Sequence, residues 1–380
     1  MRISVWAVVW SGAVVLGTAV GSAQSPSLTW LGVLANGERS YALGLSADGA
    51  TVVGEDIAVI DADGNGGESR AFRWTRTGGM QPLPAAGAFS QATGVSADGA
   101  VVVGWTETPA GEFHAARWSS DGGLTLLDTP TGAESRALGV SANGTVIVGW
   151  AEDASNRLIA ARWLPDGSLE TLGVPAGYMT SWATAVSSDG AVIAATAYQE
   201  RFRWRAFRWS ATGWATLDLL AGYENSIANA LSANGAVIVG AAFNGVGVTE
   251  RYAVRWLADG SVEPLATLGG RMSEARAVSA DGAFIVGFSE DASGRTHAVR
   301  WVQGVGVQNL NSVYASLLTD GSILIGASAV SPDGRYIVGW GYNAATGRAE
   351  GFLLDTVPEP ASLLALSAGF MGLLRRRRAR

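Results

Sequence analysis

The chain is expected to be all-β: a seven-bladed β-propeller with four-stranded blades of about 46 residues, its N-terminal strand closing the last blade. Three observations carry this. A Ser-x-Asp/Asn-Gly unit begins at Ser46, Ser96, Ser141, Ser187, Ser232, Ser279 and Ser331, at spacings of 45 to 52 residues. An Ala-x-Arg-Trp unit ends at Trp74, Trp118, Trp163, Trp209, Trp256 and Trp301, and a degenerate seventh copy reads Glu350-Gly351-Phe352-Leu353-Leu354. Between them lie short runs rich in Val, Ile and aromatic residues, bounded by Gly and Asp, with no helical period long enough for a helical repeat.

Residues 1–23 open on Arg2, run apolar to about Val20 and end on Gly21-Ser22-Ala23, the layout of a secretory signal peptide. The propeller is expected over 28–356. Its first run, 28–34, matches the fourth strands at 124–127 and 169–173 but precedes the first innermost strand and has no blade of its own. The last blade, 329–354, has three strands, so the first run is expected to complete it and remove an open edge. In the second copy, strands a to d are expected at 92–97, 101–105, 114–119 and 124–127.

Strand a carries small residues (Ala42 and Gly44, Ala137 and Gly139, Ala228 and Ala230), which suit the crowded centre of a ring. The a–b turn fits a type I turn followed by a left-handed Gly, with Pro332 at a position of fixed φ. Asn143 and Asn234 replace Asp in two copies. An amide makes the same turn bonds as a carboxylate, whereas a general base or metal ligand tolerates that swap poorly, so these acids read as turn residues. In strand c, Arg and Trp point to opposite faces. Trp118 is expected to fill a gap between blades, and Arg117 to need a partner there.

The C-terminus, 357–380, reads Val357-Pro358-Glu359-Pro360, then an apolar stretch over 361–374, then Arg375 to Arg378 and Arg380. The stretch is shorter than the ~20 residues that span a bilayer comfortably. The order of Pro-Glu-Pro, apolar helix and Arg cluster resembles the PEP-CTERM sorting signal of Gram-negative bacteria. The resemblance implies a transient inner-membrane anchor, processing by an exosortase near Pro358, Glu359 and Pro360, and export to the cell surface or extracellular matrix. The repeats, over about 28–355, resemble the HAF repeats of bacterial extracellular proteins through His114-Ala115-Ala116-Arg117-Trp118, Arg205-Ala206-Phe207-Arg208-Trp209 and His297-Ala298-Val299-Arg300-Trp301. The His-Ala-Phe of the family name is intact in none. Ser331-Pro332-Asp333-Gly334 is similar to the turn of TolB-type propellers.

Composition excludes several chemistries. There is no Cys, so no disulfide framework or thiolate metal site, and no Lys, so no Schiff base or P-loop lysine. Residues 24–374 keep 20 Arg and all 33 acids, a net charge near −13 that disfavours nucleic acid and anionic lipid and favours divalent cations. Only His114 and His297 are available as imidazole bases, at equivalent repeat positions about four blades apart, so a dyad is not expected.

Three places depart from the repeat. Asp61-Ala62-Asp63-Gly64-Asn65-Gly66 matches the first half of a calcium loop, with Asp61, Asp63 and Asn65 as candidate ligands, although Phe72 stands where the bidentate Glu belongs. The residue after the Gly that ends strand b is Glu55, Trp105, Trp150, Thr196, Ala241, Phe288 or Trp340. Trp105, Trp150, Phe288 and Trp340 are a candidate ring for stacking on sugars, against a purely packing role between blades. The long connection at 309–325, with Asn311, Tyr314, Asp320 and Ser322, is expected to form a short helix capping one face. The function expected is a non-enzymatic structural or interaction scaffold, binding matrix polysaccharide or surface proteins. A calcium-assisted glycan-binding module is the alternative, and a propeller enzyme acting on polysaccharide or a lactone ranks third.

Overall fold

A computed structural model describes residues 25–58, 67–130, 133–245 and 250–356. They form five four-stranded sheets and one eight-stranded sheet, with every neighbour antiparallel except one pairing. The first sheet shows the pattern, with strands a to d at Gly37–Leu45, Thr51–Ala58, Ser69–Thr75 and Gly79–Pro82. In the eight-stranded sheet, two such units touch through one parallel pair, Arg251 with Met272. The first strands are Gly37–Leu45, Ser90–Val95, Ser135–Val140, Thr180–Val186, Asn225–Leu231, Gly269–Val278 and Ile323–Val330. Each packs on the next, and Ile323–Val330 packs back on Gly37–Leu45, so the sheets radiate as blades from a closed ring.

The turn motif closes that ring. In the second copy Ser96 Oγ donates to Asp98 Oδ1 at 2.5 Å and accepts the Val101 amide at 2.9 Å, while Asp98 Oδ1 accepts the Ala100 amide at 2.9 Å. Asn143 and Asn234 make the same bonds through Oδ1, so the acids are turn residues. Gly49, Gly99 and Gly334 have φ of 64°, 72° and 78°, which a side chain disfavours. A Cβ on Gly334 would lie 2.4 Å from the Phe284 ring, and one on Gly49 2.6 Å from Tyr336. Each turn thus seats on the blade beside it. The x residues link neighbouring turns, Ala47 N to Ala97 O and Ala97 N to Ala142 O at 2.9 Å, and Ala280 N to Pro332 O at 2.9 Å. Pro332 has no N–H to pass the chain onward.

Every strand a slips register between the residues four and two before its turn serine, as between Ala42 and Gly44 in the first sheet and Ala137 and Gly139 in the third, and three of them slip at a second point as well. Such a bulge bends the strand, and the small residues flank the bend. A serine six residues before the turn motif ties neighbouring sheets. Ser90 Oγ accepts the Ala71 amide at 2.9 Å, Ser135 that of Ala115 at 3.0 Å, and Ser40 that of Gly351 at 2.9 Å across the first and last sheets.

Trp118, Trp163, Trp256 and Trp301 are buried between sheets. Their indole N–H groups donate to Pro84, Asp128, Asp218 and Ala266 carbonyls of the preceding sheet's chain, at 2.6 to 2.8 Å. Trp209 departs from this. It is half-buried under Arg162, and Trp214 donates to Leu172 instead, at 3.0 Å. Arg117 corrects an expectation: it is exposed, so water solvates the guanidinium and no buried partner is needed. Arg73 and Arg208 do reach the next sheet, at the Gly99 and Gly235 carbonyls.

The N-terminal strand Ser27–Trp30 pairs with Arg348–Asp355, Ser27 opposite Asp355 and Trp30 opposite Phe352, and completes the last sheet. The connection before Ile323–Val330 holds the helix Leu310–Val313 and a 3-10 turn at Ala315–Leu317. Its Asn311 ties the helix to that strand, accepting the Leu324 amide and donating to the Leu324 carbonyl, both at 2.8 Å.

Candidate functional site

One end of the ring carries the a–b turns, and the other carries the b–c hairpins and the connections into each strand a. Trp105, Trp150, Phe288 and Trp340 lie on the second strands toward that other end, opposite Gln91, Arg136, Glu274 and Gly326 of the first strands. All four are half-buried. Trp105 Nε1 donates to Gln91 Oε1 at 3.2 Å. The Arg136 guanidinium lies 4.5 Å from the Trp105 ring centre, 4.7 Å from Phe113 and 5.7 Å from Trp150, so one cation bridges aromatics of two sheets. Burial pulls the Arg136 pKa down. Arg276 lies 5.0 Å from Phe288, and Trp340 meets Tyr41 edge-on at 5.5 Å. Trp105 and Trp340 thus meet side chains of the neighbouring blade.

Where that position is Thr196, the groove is open. A cavity of about 380 Å³ lies between the sheets that begin at Thr180 and Asn225. Thr196 stands where Trp105 and Trp150 stand elsewhere, and Ile227 where Arg136 stands. The two small substitutions remove an indole and a guanidinium from one groove. Trp182 and Trp204 form one wall, edge to face at 5.2 Å, and Tyr198 backs Trp204 at 5.1 Å. Phe243 lines the cavity with Arg251 5.2 Å from its ring, and Arg251 pairs with Glu274. Asn229 Nδ2 donates to Glu274 Oε1 at 3.1 Å and to the Ala275 carbonyl at 2.8 Å.

Phe202 also lines the cavity, from the tip of the hairpin between Ile193–Gln199 and Arg203–Ser210, and is 53% exposed. Arg201 and Phe202 have φ of 65° and 60°. Consecutive positive φ values at a hairpin tip are conformations that ordinarily take Asn or Gly. An Arg-Phe pair there is strained and places a large apolar ring at the mouth of the cavity. The composition of this turn, and the gap at Thr196 in the aromatic series, are the sequence signals for the cavity.

The other expected sites are placed as follows. Asp61, Asp63 and Asn65 lie outside the described residues, as do Pro358, Glu359, Pro360 and residues 1–23. The base of the 59–66 connection is described: the Ala58 amide donates to the Glu68 carbonyl at 2.9 Å, on the same end as the cavity. Beside it, burial pushes the Asp56 carboxyl up, and its Oδ2 accepts the Leu34 amide at 2.9 Å. Among the described residues no three His, Asp or Glu side chains converge as a metal site. His114 and His297 face acids of their own hairpins, Glu112 at 3.6 Å and Asp291 at 2.9 Å, on separate sheets. The Ser293 hydroxyl and then His297 hold the Asp291 carboxyl far below the usual range.

Residues 356–378 match the model of the PEP-CTERM protein-sorting motif. No curated protein matches the chain. Among solved structures, it is similar to an oligogalacturonate lyase in complex with manganese, at 11% identity and a TM-score of 0.56 over 86% of this chain and 92% of that one. It is also similar to the β-propeller domain of the Trilobed protease from Pyrococcus furiosus, at 10% identity and a TM-score of 0.55 over 85% and 98%. TolB from Acinetobacter baumannii matches at 14% identity and a TM-score of 0.47 over 81% of each chain. At such identities the first two likenesses define the fold: the class is a propeller, carrying a sorting signal for export.

Proposed function

We propose that the chain is an exported, non-catalytic interaction propeller of the cell surface or extracellular matrix. In this reading the eight-stranded sheet counts as two blades, the ring has seven, and the repeats are HAF-like. The observation that carries it is the sorting motif at 356–378, which starts directly after the strand Arg348–Asp355 that closes the ring. A signal peptide at 1–23 and an exosortase acting near Pro358-Glu359-Pro360 complete the route, with the stretch at 361–374 as a transient anchor in the inner membrane of a Gram-negative cell. The lack of a catalytic role is supported by how the acids are used: turn aspartates are held by serines, and each histidine faces an acid of its own hairpin.

A second reading is calcium at Asp61, Asp63 and Asn65, because the base of that connection, Ala58 and Glu68, lies on the same end as the cavity. Added Ca²⁺ is then expected to raise the melting temperature, and chelator to lower it.

The main test is fractionation of cells expressing the full chain, or a variant with Pro358, Glu359 and Pro360 all replaced by Ala. The parent chain should reach the surface or medium, and the variant should stay in the inner membrane. A parent chain retained inside the cell overturns export, and depolymerisation of a matrix polysaccharide by the purified chain overturns the non-catalytic reading.

A further inference from the structure

We infer that the cavity between Trp182, Trp204 and Phe243 binds a neutral gluco-configured pyranose unit of a polysaccharide. The inference rests on the interaction role proposed above and assigns its ligand class and site.

The walls point to a flat, apolar face. Trp182, Trp204, Phe202 and Phe243 present aromatic rings to about 380 Å³ of space, within the ~300–1,000 Å³ of small-molecule sites. A pyranose with equatorial hydroxyls has two faces of axial C–H bonds. Their positive partial charge is attracted to the negative face of a ring, most strongly to an indole.

The polar groups point to hydroxyls at the rim. Thr196 Oγ1 accepts the Ala228 amide at 3.1 Å, which leaves its O–H to donate. Thr184 donates to the Ala194 carbonyl at 3.2 Å, so its lone pairs are what it can offer a ligand. Both Nδ2 hydrogens of Asn229 are engaged, which leaves Oδ1 as an acceptor. The buried Arg251 Nε has no partner among the described residues, and a buried donor ordinarily has one. Donors and acceptors are therefore both present, as a hydroxyl requires.

The charge points to a neutral sugar. Among the described residues Arg251 is the one cation lining the cavity, and Glu274 already neutralises it. A uronate would have to compete with that carboxylate.

The repeat supplies the control. Thr196→Trp installs the residue that equivalent positions carry as Trp105 and Trp150, so it should close the groove by the fold's own means. Phe202→Ser changes an exposed side chain at a hairpin tip, so it should leave folding intact.

The experiment titrates the full chain, in a detergent without a sugar headgroup, with cellotetraose and with tetragalacturonate, by calorimetry and tryptophan fluorescence. Cellotetraose should bind at least about tenfold more tightly than tetragalacturonate. Thr196→Trp should weaken it by about tenfold or more, and Phe202→Ser by several-fold. No cellotetraose binding, tighter binding of the uronate, or parent-like affinity in folded Thr196→Trp overturns the inference. Phe202→Ser at parent affinity overturns it when Thr196→Trp does not fold. Any of these failures leaves the fractionation result untouched, so the site and the export reading fall separately.

Discussion

At the scale of single residues, the turn serine is worth more than the acid it holds. Ser96 is fully buried and makes two bonds, one given to Asp98 and one taken from Val101. Ser96→Ala leaves the Val101 amide without its acceptor, and about 1–3 kcal/mol of stability should be lost in urea unfolding. Asp98→Asn should cost far less, because Asn143 and Asn234 already make the same bonds. The two variants also separate by pH. The Ser96 hydroxyl, then the Ala100 amide, hold the Asp98 carboxyl below its ordinary value, and Asp48 and Asp189 are held likewise. A depressed folded pKa gives stability that is complete above the unfolded value, near ~3.9, and is lost as pH falls through the folded one. Melting temperatures should therefore drop below about pH 4, and less steeply in Asp98→Asn. The turn is legible in the sequence because its serine, its acid and its glycine lie within four residues. Thr196 and Ile227 do not read as a site there, because they lie 31 residues apart and matter only when the neighbouring blades face each other. Their signal is a missing bulk, which no motif marks.

At the scale of elements, blades hold one another through strand c. The Trp118 indole fills the groove and donates to the Pro84 carbonyl at 2.7 Å. Trp118→Phe should cost about 1–3 kcal/mol, since it shrinks a buried ring and strands that carbonyl. Trp209→Phe, at the same repeat position, should cost much less, because Trp214 makes the equivalent bond to Leu172. Midpoints of chemical unfolding for the two variants test this, and equal losses would refute it. The regular return of the Arg-Trp pair is enough to mark Trp118, Trp163, Trp256 and Trp301 as interblade residues. It does not reveal that Arg117 faces water, since a strand's alternation says which side a residue takes but not how far the neighbouring blade covers it. The strand-a serines are visible too, six residues before each turn from Ser40 to Ser273. Their role is hidden because the bulge between them and the turn breaks the simple alternation of the strand.

At the scale of the molecule, one short strand decides whether the ring is closed. Ser27 faces Asp355 and Trp30 packs edge-on against Phe352, with ring centres 6.2 Å apart. Among the described residues no other strand pairing joins positions so far apart in sequence, so closure must wait until the chain is complete to about residue 355. Without Ser27–Trp30, Arg348–Asp355 presents an open edge, and open edges recruit other chains. Both ends of the described chain thus meet in one sheet, and the sorting motif leaves from that sheet. A chain lacking Ser27–Trp30 should unfold at a lower denaturant midpoint. It should also form concentration-dependent oligomers in sedimentation, through the bared edge of Arg348–Asp355. A peptide spanning residues 25–34, added in trans, should dock on that edge as a fourth strand and restore the monomer. A truncated chain that stays monomeric at parent stability would show that the ring holds without its closing strand. The turn contacts, from Gly49 on Tyr336 around to Gly334 on Phe284, would then suffice for closure.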